Sequence, residues 1–296
     1  MAVLLKGASV ARAIAETLKE ESDALRARGV IPCLATVRIG EKDADLAYER
    51  GIAKRCEQAG VALQRVVLPA DVRQSTLLAE LNALNANPGV HGVLLLRPLS
   101  ERFDDAAVCA AVSPEKDADG VTETSMAAIY SGTGAGFAPC TAEACLALLE
   151  HYGIPIDGKR ALVIGRSFVI GKPVSMLLLR KNATVTVAHT HTTELPALCR
   201  GADILVVATG HAGLIGREHV RPGQAIIDVG IHALPDGSLT GDVRFAEAEP
   251  VVDAITPVPG GVGAVTTAIL CRHTVEAAAG RVPRLRARVT FPAKEK

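Results

Sequence analysis

Tryptophan is missing from the 296 residues, and aromatic residues of every kind amount to 3%. A surface that stacks nucleobases needs such rings, so their scarcity argues against a stacking nucleic-acid interface. An excess of either charge is missing too: 32 basic residues face 32 acidic ones. No global field draws the chain to nucleic acid or to a membrane surface. No apolar run reaches the ~18 residues of a membrane helix. The N-terminus, MAVLLKGASVARAIAETL, lacks the apolar core and cleavage site of a signal peptide. The seven cysteines, at 33, 56, 109, 140, 145, 199 and 271, form no C-x-x-C pair. Free thiols in a reducing compartment are expected, and with them a cytoplasmic protein.

What is present is apolar and periodic. Hydrophobic residues make up 49%, enough for a sizeable core, and the length suits two domains. Helical periodicity runs through 9–29, the segment around Tyr48, 75–85 and 142–153, with strand-like stretches at 32–40, 64–70 and 91–99. The turn-rich EKDADG occupies 115–120, and the Gly-rich YSGTGAGFAPCT of 130–141 reads as a linker. Beyond it, 159–165, 183–189, 202–210 and 225–232 are continuously apolar, as strands buried on both faces are. The expected fold is α/β: two α/β domains around a cleft, the second a Rossmann-like, doubly wound parallel sheet. The basic, Pro-broken tail 280–296 reads as a loosely held terminus.

VIGRSFVIGKP follows a strand and opens a helix. Gly165 permits a tight turn, and Gly171 lets the helix approach the sheet or a phosphate closely. The spacing G-x-S-x-x-x-G meets the dinucleotide fingerprint only in part. Taken alone, a Gly-bearing strand-to-helix turn explains it equally well; its place in a parallel unit favours a nucleotide. The next strand ends in AHTHTT, with no carboxylate before Glu194. An NAD site commonly places an acid there, whereas Arg166 and Thr190 suit a 2′-phosphate, so NADP is favoured over NAD. His189 and His191 lack an acidic or Cys partner, too little for a metal site. The rigid loop ITPVPGGVGAVT, 255–266, falls where open α/β sheets bind ligands.

Taken in order, KDADG, PCT, GRSFVIGKP, DVGI, GDV and TPVPGGVG resemble the methylenetetrahydrofolate dehydrogenase/cyclohydrolase (FolD) family, from about residue 3 to 279. The resemblance implies a folate-binding catalytic domain, residues 1–138 plus 265–296, and an NAD(P)-binding domain, 139–264, in a homodimer. It implies that Tyr48 stacks on the folate and Asp119 hydrogen-bonds the pterin, making these two the catalytic candidates. Pro259, Gly260 and Gly261 would form the substrate-side loop. Gly165, Arg166, Ser167, Gly171, Thr190, Gly230 and Ile231 would line the cofactor site. As bare residues, Tyr48 also fits an amphipathic helix and Asp119 a turn.

Two family positions are changed. The motif reads Y-x-x-x-K-x-K with the first lysine catalytic, and here Ile52 stands at that lysine. Lys54 matches the second lysine, turned by about 200° from Ile52. The strand that ends V-Q-L-P-L in the family reads LLLRPL, with Leu96 at the glutamine that pairs with the lysine. Arg97, the next residue, points to the other face and is a doubtful substitute unless the strand has already ended there. Asp45, Ala142, Ala264 and Val265 also depart from the pattern. Hydride transfer mainly requires two rings held face to face. Methenyl hydrolysis requires proton movement, to which a positioned acid/base contributes roughly 10²–10⁴-fold. The expectation is an NADP-preferring dehydrogenase of 5,10-methylenetetrahydrofolate with cyclohydrolase activity weak or lost. The alternative is a folate- or pterin-binding homologue without turnover, acting as a regulatory or structural subunit.

Overall fold

A computed structural model describes residues 1–132 and 136–282. The tail from 283, and residues 133–135 of the expected linker, lie outside the described residues. In chain order the strands are β1 (Val3–Leu4), β2 (Cys33–Ile39), β3 (Ala62–Leu68), β4 (Gly92–Leu95), β5 (Arg160–Ile164), β6 (Thr184–Ala188), β7 (Ile204–Val207), β8 (Ala225–Asp228), β9 (His232–Ala233), β10 (Leu239–Thr240) and β11 (Ala254–Ile255). The α-helices are α1 (Gly7–Ala27), α2 (Asp43–Ala59), α3 (Gln74–Ala86), α4 (Asp105–Ala110), α5 (Glu123–Ser131), α6 (Cys140–His151), α7 (Gly171–Arg180), α8 (Leu195–Gly201), α9 (Phe245–Ala248) and α10 (Gly263–Ala278).

Two parallel sheets organise these elements. β3-β2-β4 form the smaller, with Val37 opposite Val66 and Leu95. The larger has the order β1-β11-β8-β7-β5-β6 and is parallel throughout. β7 and β8 are buried along their whole length, which is why their sequences show no alternation. The α/β architecture with a doubly wound second sheet is as the sequence implies. Val3–Leu4 nevertheless joins that large sheet, paired with Ala254–Ile255, although it belongs to the 1–138 segment. Late in the chain, α10 packs back against α1, α2 and α6.

Several expected elements differ. β4 stops at Leu95 instead of running to 99, because Pro98 has no N–H for the ladder; the Arg97–Pro98 peptide is cis. β7 and β8 are shorter than 202–210 and 225–232, and His232 turns into the β9–β10 hairpin. The sequence reading has no helix at 123–131. Its N-terminus is nonetheless written locally: the Thr122 hydroxyl accepts from Ser125 N–H at 3.1 Å, and Gly132 closes the helix with φ 69°.

Candidate functional site

Helix α2 presents two faces. Glu49, Ile52, Cys56 and Ala59 are buried, Glu49 toward Thr36 of β2 and Cys56 toward Cys271 of α10. Tyr48, Gly51, Lys54 and Arg55 line a groove of about 1000 Å³ shared with α1 and the start of α10. Tyr48 is 42% exposed there. Its phenol is nonetheless driven strongly upward, first by burial and then by Asp119, Cys140 and Cys271. The Asp119 charge thus acts on the Tyr48 phenol. Ile52 is 0% and Leu96 6% exposed, and both belong to one apolar cluster with Leu34, Cys56 and Ala118. Arg97 does not stand in for either: its guanidinium pairs with Asp105 at the start of α4.

Asp119 sits in the 117–120 loop, which is fixed from several sides. The Asp117 carboxylate accepts from Val121 N–H at 3.0 Å, Thr122 N–H at 2.8 Å and the Ser125 hydroxyl at 2.7 Å. Burial, then the Asp117 charge, lifts the Asp119 carboxyl to about 6; the Cys140 thiol, His273 and Arg97 act against them.

The loop after β5 shows why glycine is needed. Gly165 has φ +125°, and a Cβ at Gly171 would lie 2.2 Å from the Gly165 carbonyl oxygen. Helix α7 thus begins hard against the strand end, and only hydrogen side chains allow it. Ser167 Oγ accepts from Gly171 N–H at 3.3 Å. Arg166, Ser167 and Thr190 are exposed at the ends of β5 and β6. Such an exposed cation and two hydroxyls above a close helix N-terminus fit a dinucleotide phosphate.

A cavity of about 470 Å³ joins the other candidates: Gly230, Ile231, Pro259, Gly260 and Gly261 line it together with Ile170 and Asp228. Arg166, Ser167, Gly165 and Thr190 lie outside its lining. It shares Gly263 and Ala264 with the Tyr48 groove, so the two spaces adjoin.

Two acids of the DVGI and GDV motifs, given no role by the sequence reading, hold this wall. Asp228 accepts from Gly230 N–H at 2.9 Å, Asp242 N–H at 3.0 Å and Val243 N–H at 2.9 Å. Asp242 accepts from Thr209 N–H at 2.5 Å and Gly210 N–H at 3.0 Å, and lies 2.7 Å from His232 Nε2. A Cβ on Gly230 would fall 2.3 Å from Asp242 Oδ1. Burial raises the Asp228 carboxyl to about 6 despite those N–H donors. The recurring Asp-Gly pairing was the available signal. His189 and His191 meet edge to face with centroids 6.0 Å apart.

Residues 5–119 match the family model described as the tetrahydrofolate dehydrogenase/cyclohydrolase catalytic domain, and residues 139–282 that of its NAD(P)-binding domain. The chain is 45% identical to the bifunctional protein FolD of Carboxydothermus hydrogenoformans, over 94% of this chain and 97% of that one. It superposes with TM-score 0.92 on the bifunctional FolD methylenetetrahydrofolate dehydrogenase/cyclohydrolase of Campylobacter jejuni, at 36% identity, covering 95% of this chain and 100% of that one. The N5,N10-methylenetetrahydrofolate dehydrogenase-cyclohydrolase of Trypanosoma brucei, complexed with NADP cofactor and inhibitor, gives TM-score 0.88 at 37% identity, over 95% and 98%.

Proposed function

Because the chain belongs to the tetrahydrofolate dehydrogenase/cyclohydrolase family, we propose that it oxidises 5,10-methylenetetrahydrofolate to the methenyl form, with NADP preferred over NAD, and hydrolyses the methenyl product weakly or not at all. The observation that carries the second half is the buried apolar pair Ile52 and Leu96. The relatives are named bifunctional; this chain has no side chain at those two positions that can move a proton.

Tyr48 offers a ring to the folate beside the cavity, and Asp119 a carboxyl to its pterin. Pro259, Gly260 and Gly261 line the same space as Gly230 and Ile231, where folate and nicotinamide would be held together with water limited. NADP, when bound, takes up the hydride. Arg166, Ser167 and Thr190 would hold its phosphates, with Gly165 and Gly171 leaving room for them. Asp228 holds the Gly230 backbone by accepting its N–H, and Asp242 ties Thr209, Gly210 and His232 beside it.

Both reactions are to be assayed on purified protein with each dinucleotide. The expected result is robust dehydrogenation and methenyl hydrolysis near the buffer rate. Hydrolysis well above that rate overturns the claim about the second activity. Folate binding without binding of either dinucleotide would favour a non-catalytic role.

A further inference from the structure

We propose that His273 is a positioning residue for Asp119: set between Glu143 and the Ala118 carbonyl, it fixes that carbonyl and with it the carboxyl offered to the pterin. The role rests on the functional reading above. His273 lies on α10 and is 1% exposed. Its Nδ1 is 2.8 Å from the Ala118 oxygen, one residue before Asp119. Its Nε2 is 3.2 Å from Glu143 Oε2 on α6. That second contact misses the angle of a hydrogen bond, so it is ionic in character. The ring is clamped by Phe137, stacked at 4.5 Å and 21°.

A carbonyl and a carboxylate are both acceptors. A neutral imidazole with its N–H on the carbonyl has no charge to set against Glu143, whereas the imidazolium both donates to the carbonyl and pairs with the carboxylate. Burial opposes the charged form, and Glu143 outweighs it, raising the imidazole above its ordinary range. Loss of the proton would turn an Nε2 lone pair toward the Glu143 carboxylate and loosen the ring. Other groups face this site. Arg272 pairs with Glu143 and opposes the His273 charge. Glu276 lies one turn along α10 and its carboxyl is raised by burial. The Cys140 thiol of α6 is 3.8 Å from Nδ1 and donates to the same Ala118 oxygen at 3.3 Å. From the loop, Asp119 adds a titration near 6, and Asp117 adds its charge. These neighbours act in every variant below; only the alkaline limb belongs to His273.

The experiment measures KM for 5,10-methylenetetrahydrofolate, KM for NADP and kcat between about pH 6 and 9 for the parent, His273→Asn and Glu143→Gln. Nitrogen NMR of the imidazoles accompanies it, with His273 assigned by its own variant. In the parent, the folate KM should rise by roughly three- to tenfold on the alkaline side. Glu143→Gln should move that rise to lower pH. His273→Asn keeps one N–H donor without a titration and should abolish it. The NADP KM and kcat should stay within about twofold. Glu143→Gln preserves side-chain shape, so a misfolded His273→Asn would leave the test standing. A neutral His273 at pH 7 in the parent overturns the proposal, and so does a folate KM with the same pH profile in all three proteins. A parent with the imidazolium in place but no folate turnover overturns the functional reading instead.

Discussion

Ile52 and Leu96 are the residues on which the choice between one activity and two turns. If they account for a missing hydrolysis, Ile52→Lys with Leu96→Gln should raise methenyltetrahydrofolate hydrolysis about tenfold or more over the parent. The double variant should exceed the sum of the singles, since a lone ammonium in that 0%-exposed site lacks a partner. Burial would lower the new lysine's pKa toward neutrality and make it a usable base. Recovery should be partial, because Asp45, Ala264 and Val265 also depart from the family pattern. A folded, folate-binding double variant with no gain would show that the pair is not the cause. Arg166 carries the cofactor choice in the same way. Arg166→Ala should raise the KM for NADP about tenfold or more and leave that for NAD nearly unchanged. Equal effects on both would show that it does not read the 2′-phosphate. Of the residue roles, the two substitutions were legible because a motif fixes their positions. The Glu143–His273 pair was not, since 130 positions separate its members and neither stands in a local pattern.

Between elements, that pair is also a tie from α6 to α10. The Glu143 carboxyl is held down to about 2: burial opposes this, and His273 and then Arg272 overcome it. A depressed acid contributes stability above its unfolded pKa near 4.5 and loses it as pH falls toward 2. His273, raised, contributes fully below its unfolded pKa near 6.5 and loses its share as pH rises through the folded value. The tie is therefore strongest between about pH 4.5 and 6.5. Glu143→Gln should cost about 3 kcal/mol there and progressively less toward pH 2, checked by denaturant unfolding across that range. A loss of equal size at every pH would show packing, not charge, to be responsible. Gly171→Ala tests the β5–α7 junction. Its Cβ would meet the Gly165 carbonyl at 2.2 Å, so the helix must move outward. NADP affinity should fall with folate affinity kept, as calorimetry with each ligand would read. Element types were readable from periodicity, whereas α5 was overlooked beside a Gly-rich stretch that looked like linker throughout.

For the whole molecule, a homodimer is the expected assembly. β6 is an edge strand with Val187 exposed, and Leu179 on the adjoining α7 is exposed as well; an unpaired edge is a template on which a second chain can pair. Light scattering should give twice the 30.8 kDa of one chain, and a monomer at micromolar concentration would refute this. The sequence by itself determined the fold class, through continuous apolar runs that only doubly covered strands require. It also carried the resemblance to the family, through the order of its motifs, and with that resemblance the apolar residues at positions 52 and 96. The tertiary structure decided what depends on distance in space. It gave Val3–Leu4 to the large sheet, since a two-residue strand carries almost no pattern of its own. It interlocked Asp228 with Asp242, and it set Glu143 and His273 against the loop of Asp119. Buried charges must find partners wherever the fold brings them, and no local periodicity records which partners those are.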